Sequence, residues 1–434
     1  MKIYYFTFGC KVNQYETEHI RETLEAGGDI TVNSAEEAEV CIVNSCTVTA
    51  EADKKCRQFI HRLRRISPDS VIVCAGCMTQ AHADIADRLP GCDIIVGSHN
   101  KNRIPGLIKE YLASRQRIIA VADIGEERCI EPMLNRSDDD HTRAYIKIQD
   151  GCDMSCAYCI IPRARGHIRS KPLDALVSEA RGLIASGHKE IILTGINLCC
   201  YGRENGGSLR LSDAVEAVSG IEAELRVRLS SLEPELITGE DIERWAALDK
   251  LCPHFHLSLQ SGCDRTLKAM NRHYTAEQYA ELCEKLRQVF PGCGLTTDIM
   301  VGFPGETEED HRASLAFAER IGFSDAHIFP YSRRPGTPAD AMPGQLPGDV
   351  KARRAAEMAE VCRRSREKYL ASLAGTVQRV LFEKESSPDY HQGHSDSYAP
   401  VRIPRQGGVS LRREFRSVLI TGSGDGYCFG TLIE

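Results

Sequence analysis

The sequence predicts an α/β protein in three parts: an N-terminal open parallel α/β sheet, a central partial (β/α)6 barrel and a small C-terminal β-barrel. Three observations predict it. Short apolar runs alternate with stretches of helical periodicity as far as about residue 345. Small and polar residues gather directly after those runs, always at the same end. Beyond Gly375 the runs are short and separated by Ser, Pro and Gly, as in an all-β module. A chain of 434 residues is long enough for two or three domains with cores of their own. The pattern divides it into 1–115, a linker at 116–143, a core at 144–370 and a tail at 371–434.

In the first block, Ile3–Phe8, Val40–Val43 and Val71–Val73 read as buried strands. Asn13–Ala26 and Ala50–Arg65 read as the helices between them. The strands run out into Gly9-Cys10, Asn44-Ser45-Cys46 and Ala75-Gly76-Cys77. Because parallel strands end at one crevice, Cys10, Cys46 and Cys77 are expected to converge there as a trithiolate site. Cys41 and Cys74 lie inside their strands and are expected to be core residues. The polar run Asn135–Asp140 reads as a solvated connector.

In the central block, Tyr145–Ile148, Glu190–Thr194, Leu225–Leu229, His256–Leu259, Leu295–Val301 and Ala326–Phe329 read as six strands. Helical stretches such as Asp174–Ser186 and Ala276–Val289 lie between them. Their ends carry Thr194-Gly195-Ile196-Asn197, Ser230-Ser231-Leu232-Glu233-Pro234, Gln260-Ser261-Gly262 and Asp298 before Gly302-Phe303-Pro304-Gly305-Glu306. The first strand delivers Gly151-Cys152-Asp153-Met154-Ser155-Cys156-Ala157-Tyr158-Cys159, in which three cysteines can converge on one metal centre. No fourth ligand is local, since His141 and His167 fall outside the loop. Three thiolates on a 4Fe–4S cube leave one iron open to a cofactor; the alternative is a structural zinc loop with a distant fourth ligand.

The segment Lys351–Leu370 is a basic helix, with seven Lys or Arg against three Glu, and is either a solvated face or a phosphate contact. Val377–Phe382, Tyr398–Ile403 and Val418–Ile420 are strands of the tail. Arg402, Arg405, Arg412, Arg413 and Arg416, near Tyr398 and Phe415, suit phosphates and stacked bases.

Composition limits the chemistry. Nineteen cysteines follow an N-terminus that runs straight into a strand without a signal peptide, so thiolate and metal chemistry in the cytoplasm is expected rather than a disulfide framework. No apolar run approaches the length of a membrane span, so no membrane partner is expected. A net charge of −7 confines any nucleic-acid affinity to local patches.

Along essentially its full length the chain resembles the radical S-adenosylmethionine (SAM) methylthiotransferases. The resemblance rests on Gly9-Cys10-Lys11-Val12-Asn13-Gln14-Tyr15-Glu16, Asn44-Ser45-Cys46-Thr47-Val48 and Gly76-Cys77. It continues through Ile148-Gln149-Asp150-Gly151-Cys152, Cys159-Ile160-Ile161-Pro162 with Arg165-Gly166, and His256-Leu257-Ser258-Leu259-Gln260-Ser261-Gly262. The tail looks like the family's RNA-binding TRAM barrel. Lys11 to Glu16 and Gln149-Asp150-Gly151 are most similar to the branch acting on N6-threonylcarbamoyladenosine at position 37 of tRNA. Arg163 and Cys199-Cys200 depart from the usual pattern at positions that are not ligands.

The resemblance implies two [4Fe-4S] clusters, one on Cys152, Cys156 and Cys159 and an auxiliary one on Cys10, Cys46 and Cys77. At the first, SAM would be chelated and reductively cleaved to a 5′-deoxyadenosyl radical that takes hydrogen from C2 of the adenine. The second would carry the sulfur, methylated by a second SAM, giving 2-methylthio-N6-threonylcarbamoyladenosine. Tyr158, Gly195, Asn197, Glu233 and Gln260 are expected to line SAM. The implied partners are the tRNA anticodon stem-loop and an electron donor. The competing expectations are methylthiolation of a ribosomal-protein side chain, which Lys11-Val12-Asn13 argues against, and a non-catalytic RNA-binding protein with structural zinc.

Overall fold

The computed structural model describes every residue except 83, 137–140, 208, 385–386, 406–408 and 434, and leaves the side chain of Asn205 undescribed. Part of the expected connector, residues 137–140, therefore lies outside the described residues.

The N-terminal sheet has six parallel strands in the order Ile30–Thr31, Lys2–Thr7, Val40–Ser45, Val71–Gly76, Ile94–Val96 and Ile118–Ala120. The two central strands are buried at every position, as a parallel sheet covered on both faces requires. Helices Lys11–Ala26 and Ile104–Ser114 cover one face with Ile20, Leu24, Ile104, Leu107 and Ile108. Helix Ala50–Ile66 covers the other with Cys56, Ile60 and Leu63, started by the Thr49 hydroxyl accepting from the Ala52 N–H. Cys41 and Cys74 are fully buried in that second core, as their places inside the strands predict. The edge strands, two or three residues long, are too short for periodicity to reveal.

The order reverses between Lys2–Thr7 and Val40–Ser45, so the crevice of this sheet opens at the ends of those two strands. Cys10 and Cys46 follow directly.

The central block is the expected incomplete barrel. Ala144–Lys147, Glu190–Thr194 and Arg226–Leu229 form one parallel sheet. Beyond Ser230 the third strand continues as Ser231–Leu232 into a second parallel sheet with His254–Gln260, Gly294–Val301 and Asp325–Pro330. Helices Leu173–Ala185, Leu211–Ser219, Gly239–Ala246, Ala276–Val289 and Glu308–Ile321 wrap the outside. One core, including Leu176, Val215, Trp245, Phe255, Leu286 and Phe317, lies between the two layers. Helix Lys11–Ala26 contacts strand Ala144–Lys147, so the N-terminal unit leans on the first barrel strand.

The basic helix is Gly348–Ser372. It packs Met358, Val361 and Cys362 into the barrel core. Several of its arginines are paired: Arg354 with Glu306 at 2.6 Å, Arg353 with Glu308 at 2.9 Å and Arg366 with Asp325 at 3.0 Å. These pairs favour the structural reading of the helix over phosphate contact.

The tail closes into a five-stranded barrel in the order Val377–Phe382, Tyr390–Ser395, Pro400–Pro404, Tyr427–Leu432 and Phe415–Gly424. Here the structure corrects the reading of its aromatic and basic residues. Tyr398 stacks between His254 and His394, beneath Arg228, and its hydroxyl accepts from Arg143 at 2.8 Å. Phe415 lies under Arg226 and Lys189 of the central barrel, and Arg413 donates to the carbonyls of Ser186 and His141. These side chains fasten the tail to the core. Arg402 is different: it is sandwiched between Tyr390 and Tyr427, 4.2 and 3.4 Å from their ring centres.

Docking of the tail is tight at Gly294, where a Cβ would lie 2.2 Å from the carbonyl oxygen of Ser397. Backbone on both sides cannot yield cheaply. Gly294→Ala is expected to cost about 2–3 kcal/mol and to loosen the tail, read as a lower unfolding midpoint with faster proteolysis of the last 60 or so residues.

Candidate active site

The two cysteine triads arise from strand ends, and the local backbone explains why glycine precedes two of the cysteines. Gly9 and Gly76 have φ of +98° and +114°. A Cβ on Gly9 would lie 2.8 Å from the Cys46 sulfur, and one on Gly76 would lie 2.5 Å from the Ser45 carbonyl oxygen. Only glycine lets the first and third strands turn this closely over the second. Cys10 is exposed, whereas Cys46 and Cys77 are buried. Burial pushes the Cys46 thiol up to about 12, with Cys77 and Cys10 adding to it, and raises that of Cys77, with Cys10 adding to it.

The second triad lies on the loop after Gln149–Asp150, a short strand paired with Arg169–Ser170. The loop is pinned on the barrel by Ala157 N–H donating to the Met270 carbonyl at 2.9 Å and by Ala339 N–H donating to that of Ala157 at 2.8 Å. Each sulfur has a donor. Asn197 Nδ2 is 3.9 Å from Cys152 Sγ, Arg272 Nη1 is 3.3 Å from Cys156 Sγ and the Ile161 N–H is 3.4 Å from Cys159 Sγ. Burial lifts the Cys159 thiol to about 12. Such thiols ionise when a metal centre supplies the countercharge. Among the described residues no three His, Cys, Asp or Glu side chains are gathered tightly enough to grip a single metal ion. N–H donors aimed at the three sulfurs stabilise the negative charge of a thiolate-bound cluster, so the donor set fits one.

The triads face each other. Helix Ile161–Arg165, which leaves the loop directly after Cys159, packs Ile160 and Ala164 against Cys77. Arg165 Nε donates to Cys77 Sγ at 3.1 Å. Between the two units lies a cavity of about 170 Å³, whose walls include Val48 and Thr49 from the N-terminal unit and Tyr158, Cys159, Gln260 and Asp298 from the barrel.

Of the residues expected to line a cofactor, Tyr158 and Gln260 share that cavity. Gln260 has φ of +65° where strand pairing is irregular, and its Oε1 is buried without a partner, an acceptor available to a ligand. Asn197 touches Cys152 and leaves Oδ1 buried and unpartnered. Glu233 reaches the loop through Arg272, which bonds to both Glu233 and Cys156. Burial holds the Glu233 carboxyl up at about 7 despite that arginine. At Gly195 a Cβ would press on Gln149, 2.9 Å from its Oε1; the same oxygen accepts the Asn197 N–H at 2.8 Å. All five therefore gather around the Cys152–Cys159 loop.

Sequence reasoning missed the charged residues that support both triads. Glu16, Lys101, Lys147, Asp150 and Arg165 are all buried. Arg165 Nη1 donates to Glu16 at 2.5 Å and to Asp150 at 3.3 Å, Nη2 donates to Asn13 at 2.7 Å, Lys147 pairs with Glu16 at 2.9 Å, and Lys101 also pairs with Glu16. Glu16 is held well below the usual carboxylate range against its burial by Arg165, Lys101 and Lys147. Arg272 was also missed, because it follows a helix rather than a strand.

Comparison with known proteins places this geometry. Residues 146–318 match the radical SAM superfamily, and residues 2–97 match the family described as uncharacterized protein family UPF0004. The threonylcarbamoyladenosine tRNA methylthiotransferase MtaB of Bacillus subtilis (strain 168) is 38% identical over 405 residues, covering 92% of this chain and 89% of that protein. The chain belongs to the radical SAM methylthiotransferase family. The MtaB of Thermotoga maritima is also 38% identical, over 90% of this chain and 89% of its own length. The tRNA-2-methylthio-N(6)-dimethylallyladenosine synthase of Cereibacter sphaeroides (ATH 2.4.9) is 35% identical over 94% and 93% of the two chains. Among solved structures, the radical S-adenosylmethionine methyltransferase TsrM of Kitasatospora setae shares the fold, with a TM-score of 0.57 and 14% identity over 89% of this chain and 79% of that one.

Two predictions concern the supporting charges. Burial opposes ionisation of Asp150, but Lys147 and Arg165 bring its carboxyl down to about 2, below the ordinary 3.8. Its stabilisation is thus present above pH 4 and is lost as pH falls from about 4 to 2. Asp150→Asn is expected to lower stability by about 2 kcal/mol at pH 7, with the gap to wild type closing below pH 3 in denaturant titrations. Arg272→Met is expected to cost about 3 kcal/mol by stranding Glu233, and Glu233→Gln added to it is expected to recover part of the loss in thermal unfolding.

Proposed function

We propose that this chain methylthiolates C2 of N6-threonylcarbamoyladenosine at position 37 of tRNA, using two [4Fe-4S] clusters and two molecules of SAM, and that it takes its electrons from an external donor. The observation that carries the reading is the pair of cysteine triads brought to one junction, where Cys77 packs on Ile160 and Ala164, directly after Cys159, and takes a hydrogen bond from Arg165. Cys152, Cys156 and Cys159 are assigned to the cluster that meets SAM, and Cys10, Cys46 and Cys77 to the auxiliary cluster. When bound, these groups supply the one-electron reduction, radical formation and sulfur delivery that no protein side chain can provide. The named substrates of the relatives at 38% identity support threonylcarbamoyladenosine.

The chain's own residues bind, orient and exclude water. Asn197, Gln260 and Glu233 offer hydrogen-bonding groups around the cysteine loop; two of these, Asn197 Oδ1 and Gln260 Oε1, are unpartnered oxygens that would accept from the SAM amino or ribose groups. Tyr158, half-buried between two of the cysteines, presents an aromatic face to an adenine. Arg165 and Arg272 each donate to a cysteine sulfur from a buried position, so neither triad depends on water for compensation. Met300, Phe329 and Tyr331 form the apolar side of the cavity and limit water where a reactive species must survive. On the tail, Arg402 between Tyr390 and Tyr427 offers a cation and ring faces to the RNA. No described helix is long and apolar enough to cross a membrane.

Anaerobically purified protein is expected to contain about eight irons with matching sulfide. The Cys10→Ala, Cys46→Ala, Cys77→Ala triple variant is expected to lose about half of that iron, to keep reductive SAM cleavage and to form no methylthiolated nucleoside by mass spectrometry. Full iron content in the triple variant, or zinc without sulfide in the wild type, would remove the two-cluster assignment.

A further inference from the structure

Helix Ala50–Ile66 sets Cys56, Ile60 and Leu63 in the N-terminal core and turns its opposite face outward. That outer face carries Lys54, Lys55, Arg62 and Arg65, all exposed, with Gln58 and His61 between them and Glu51 as the helix's one exposed carboxylate. Residues 54, 58, 61, 62 and 65 recur at helical spacing and so form one stripe, with Lys55 at its edge. Among the described residues the ion pairs of this helix are those of Arg64 with Asp93 and of Asp53 with His82 and Arg334, so none of the four exposed cations is spent on one. The helix that composition marks as basic is the opposite case. Arg353, Arg354, Arg363 and Arg366 of Gly348–Ser372 are each paired with a carboxylate. In a chain of net charge −7, unpaired cations gathered on one helix face make a local positive field.

The stripe starts at the active-site cavity. Val48 and Thr49, which directly precede the helix, line that cavity, and the Ala50 N–H donates to Ser332 Oγ of the central block at 3.0 Å. Val48 is 55% exposed, so an apolar side chain stands at the cavity edge. At about 1.5 Å per residue, the cations from Lys54 to Arg65 lie about 8 to 24 Å along the helix from Thr49. A base drawn into the cavity from a hairpin loop leaves its paired stem outside, within reach of this stripe. The Arg402 sandwich of the tail offers ring faces and a single cation; the helix offers a row of charges, which a phosphate backbone requires. An acidic electron donor is the other macromolecule that a basic face suits. A stripe that begins at the cavity a base must enter favours RNA.

Resting on the function proposed above, we propose that the outer face of helix Ala50–Ile66 docks the phosphate backbone of the substrate RNA's stem through Lys54, Lys55, Arg62 and Arg65, and so brings the base to the cavity. Contacts of this kind supply affinity and position rather than sequence recognition.

The test uses a synthetic anticodon stem-loop carrying N6-threonylcarbamoyladenosine. Affinity is read by fluorescence anisotropy across a salt series, and turnover by nucleoside mass spectrometry with dithionite as reductant. The Lys54→Gln, Arg62→Gln, Arg65→Gln triple variant is expected to bind roughly 30-fold more weakly and to lower the slope of log affinity against log salt by about two. The loss in turnover is expected to fall on KM for RNA, and the thermal unfolding midpoint checks that the variant is folded. The control removes the same charge from the paired helix, as Arg353→Gln, Arg363→Gln, Arg364→Gln, and is expected to keep wild-type affinity and slope. Unchanged binding in the first variant, or a loss no greater than the control's, would overturn the docking face. Intact RNA binding with turnover lost only when reduced flavodoxin replaces dithionite would overturn it in favour of the electron donor. Wild type that binds the stem-loop through this face yet forms no methylthiolated product would instead remove the proposed reaction and leave the docking face standing.

Discussion

The placement of both triads depends on one buried guanidinium. Arg165 is fully buried and donates to Glu16 and Asn13 on the first helix, to Cys77 at the end of a sheet strand and to Asp150 just before the barrel's cysteine loop. It therefore bonds to both units at the point where their cysteines face each other. A planar five-donor cation suits this joint, whereas a lysine could not bond in so many directions. The arrangement is costly to desolvate, and breaking it would strand Glu16 or Asp150 inside the protein. Its value lies in fixing one relative position for the two units.

Around that joint the charges do not balance. Glu16, Asp150 and Glu131 are the carboxylates, while Lys101, Lys147, Arg165 and Arg169 supply the cations, and Arg169 keeps Nε and Nη1 buried without partners. The positive excess adjoins Cys77, which suits thiolates bound to a metal cluster better than neutral thiols. A second tie acts in the same sense at the other edge of the cavity. Arg334 of the central block donates to Asp53 at 2.7 Å and Thr47 at 2.5 Å, and Asp53 also pairs with His82 at 2.9 Å. The cavity between the units is thus bounded by ionic contacts that resist opening, while its own walls are largely apolar.

The tail is held in a different way. Tyr398 and Phe415, which sequence alone suggested for stacking on bases, are consumed by His254, His394, Arg226 and Arg228 at the junction with the barrel. Aromatic and basic residues side by side are equally suited to RNA and to a polar domain interface. Strand register and the turn at Tyr398, with φ of +70°, decide which face they occupy. The Arg402 sandwich is built within the tail, between Tyr390 and Tyr427 of strands Tyr390–Ser395 and Tyr427–Leu432.

The cysteine triads, the strands that deliver them and the three-part architecture were legible in the sequence. Parallel strands are written as contiguous apolar runs, their ends as glycine and polar residues, and ligand spacing within a loop is local information. That Tyr158, Gly195, Asn197, Glu233 and Gln260 gather around the cysteine loop was legible for the same reason, since each lies on that loop or follows a strand. Arg165 and Arg272 were not legible as supports. A buried cation and an exposed one are the same letter, and whether a carboxylate lies beside it depends on residues tens or hundreds of positions away. By itself the sequence determined which side chains arrive at the strand ends. Only the tertiary structure decided how two such ends oppose each other, because that follows from buried charge pairs between units, and Coulomb attraction in a dry interior depends on distance in space, not along the chain.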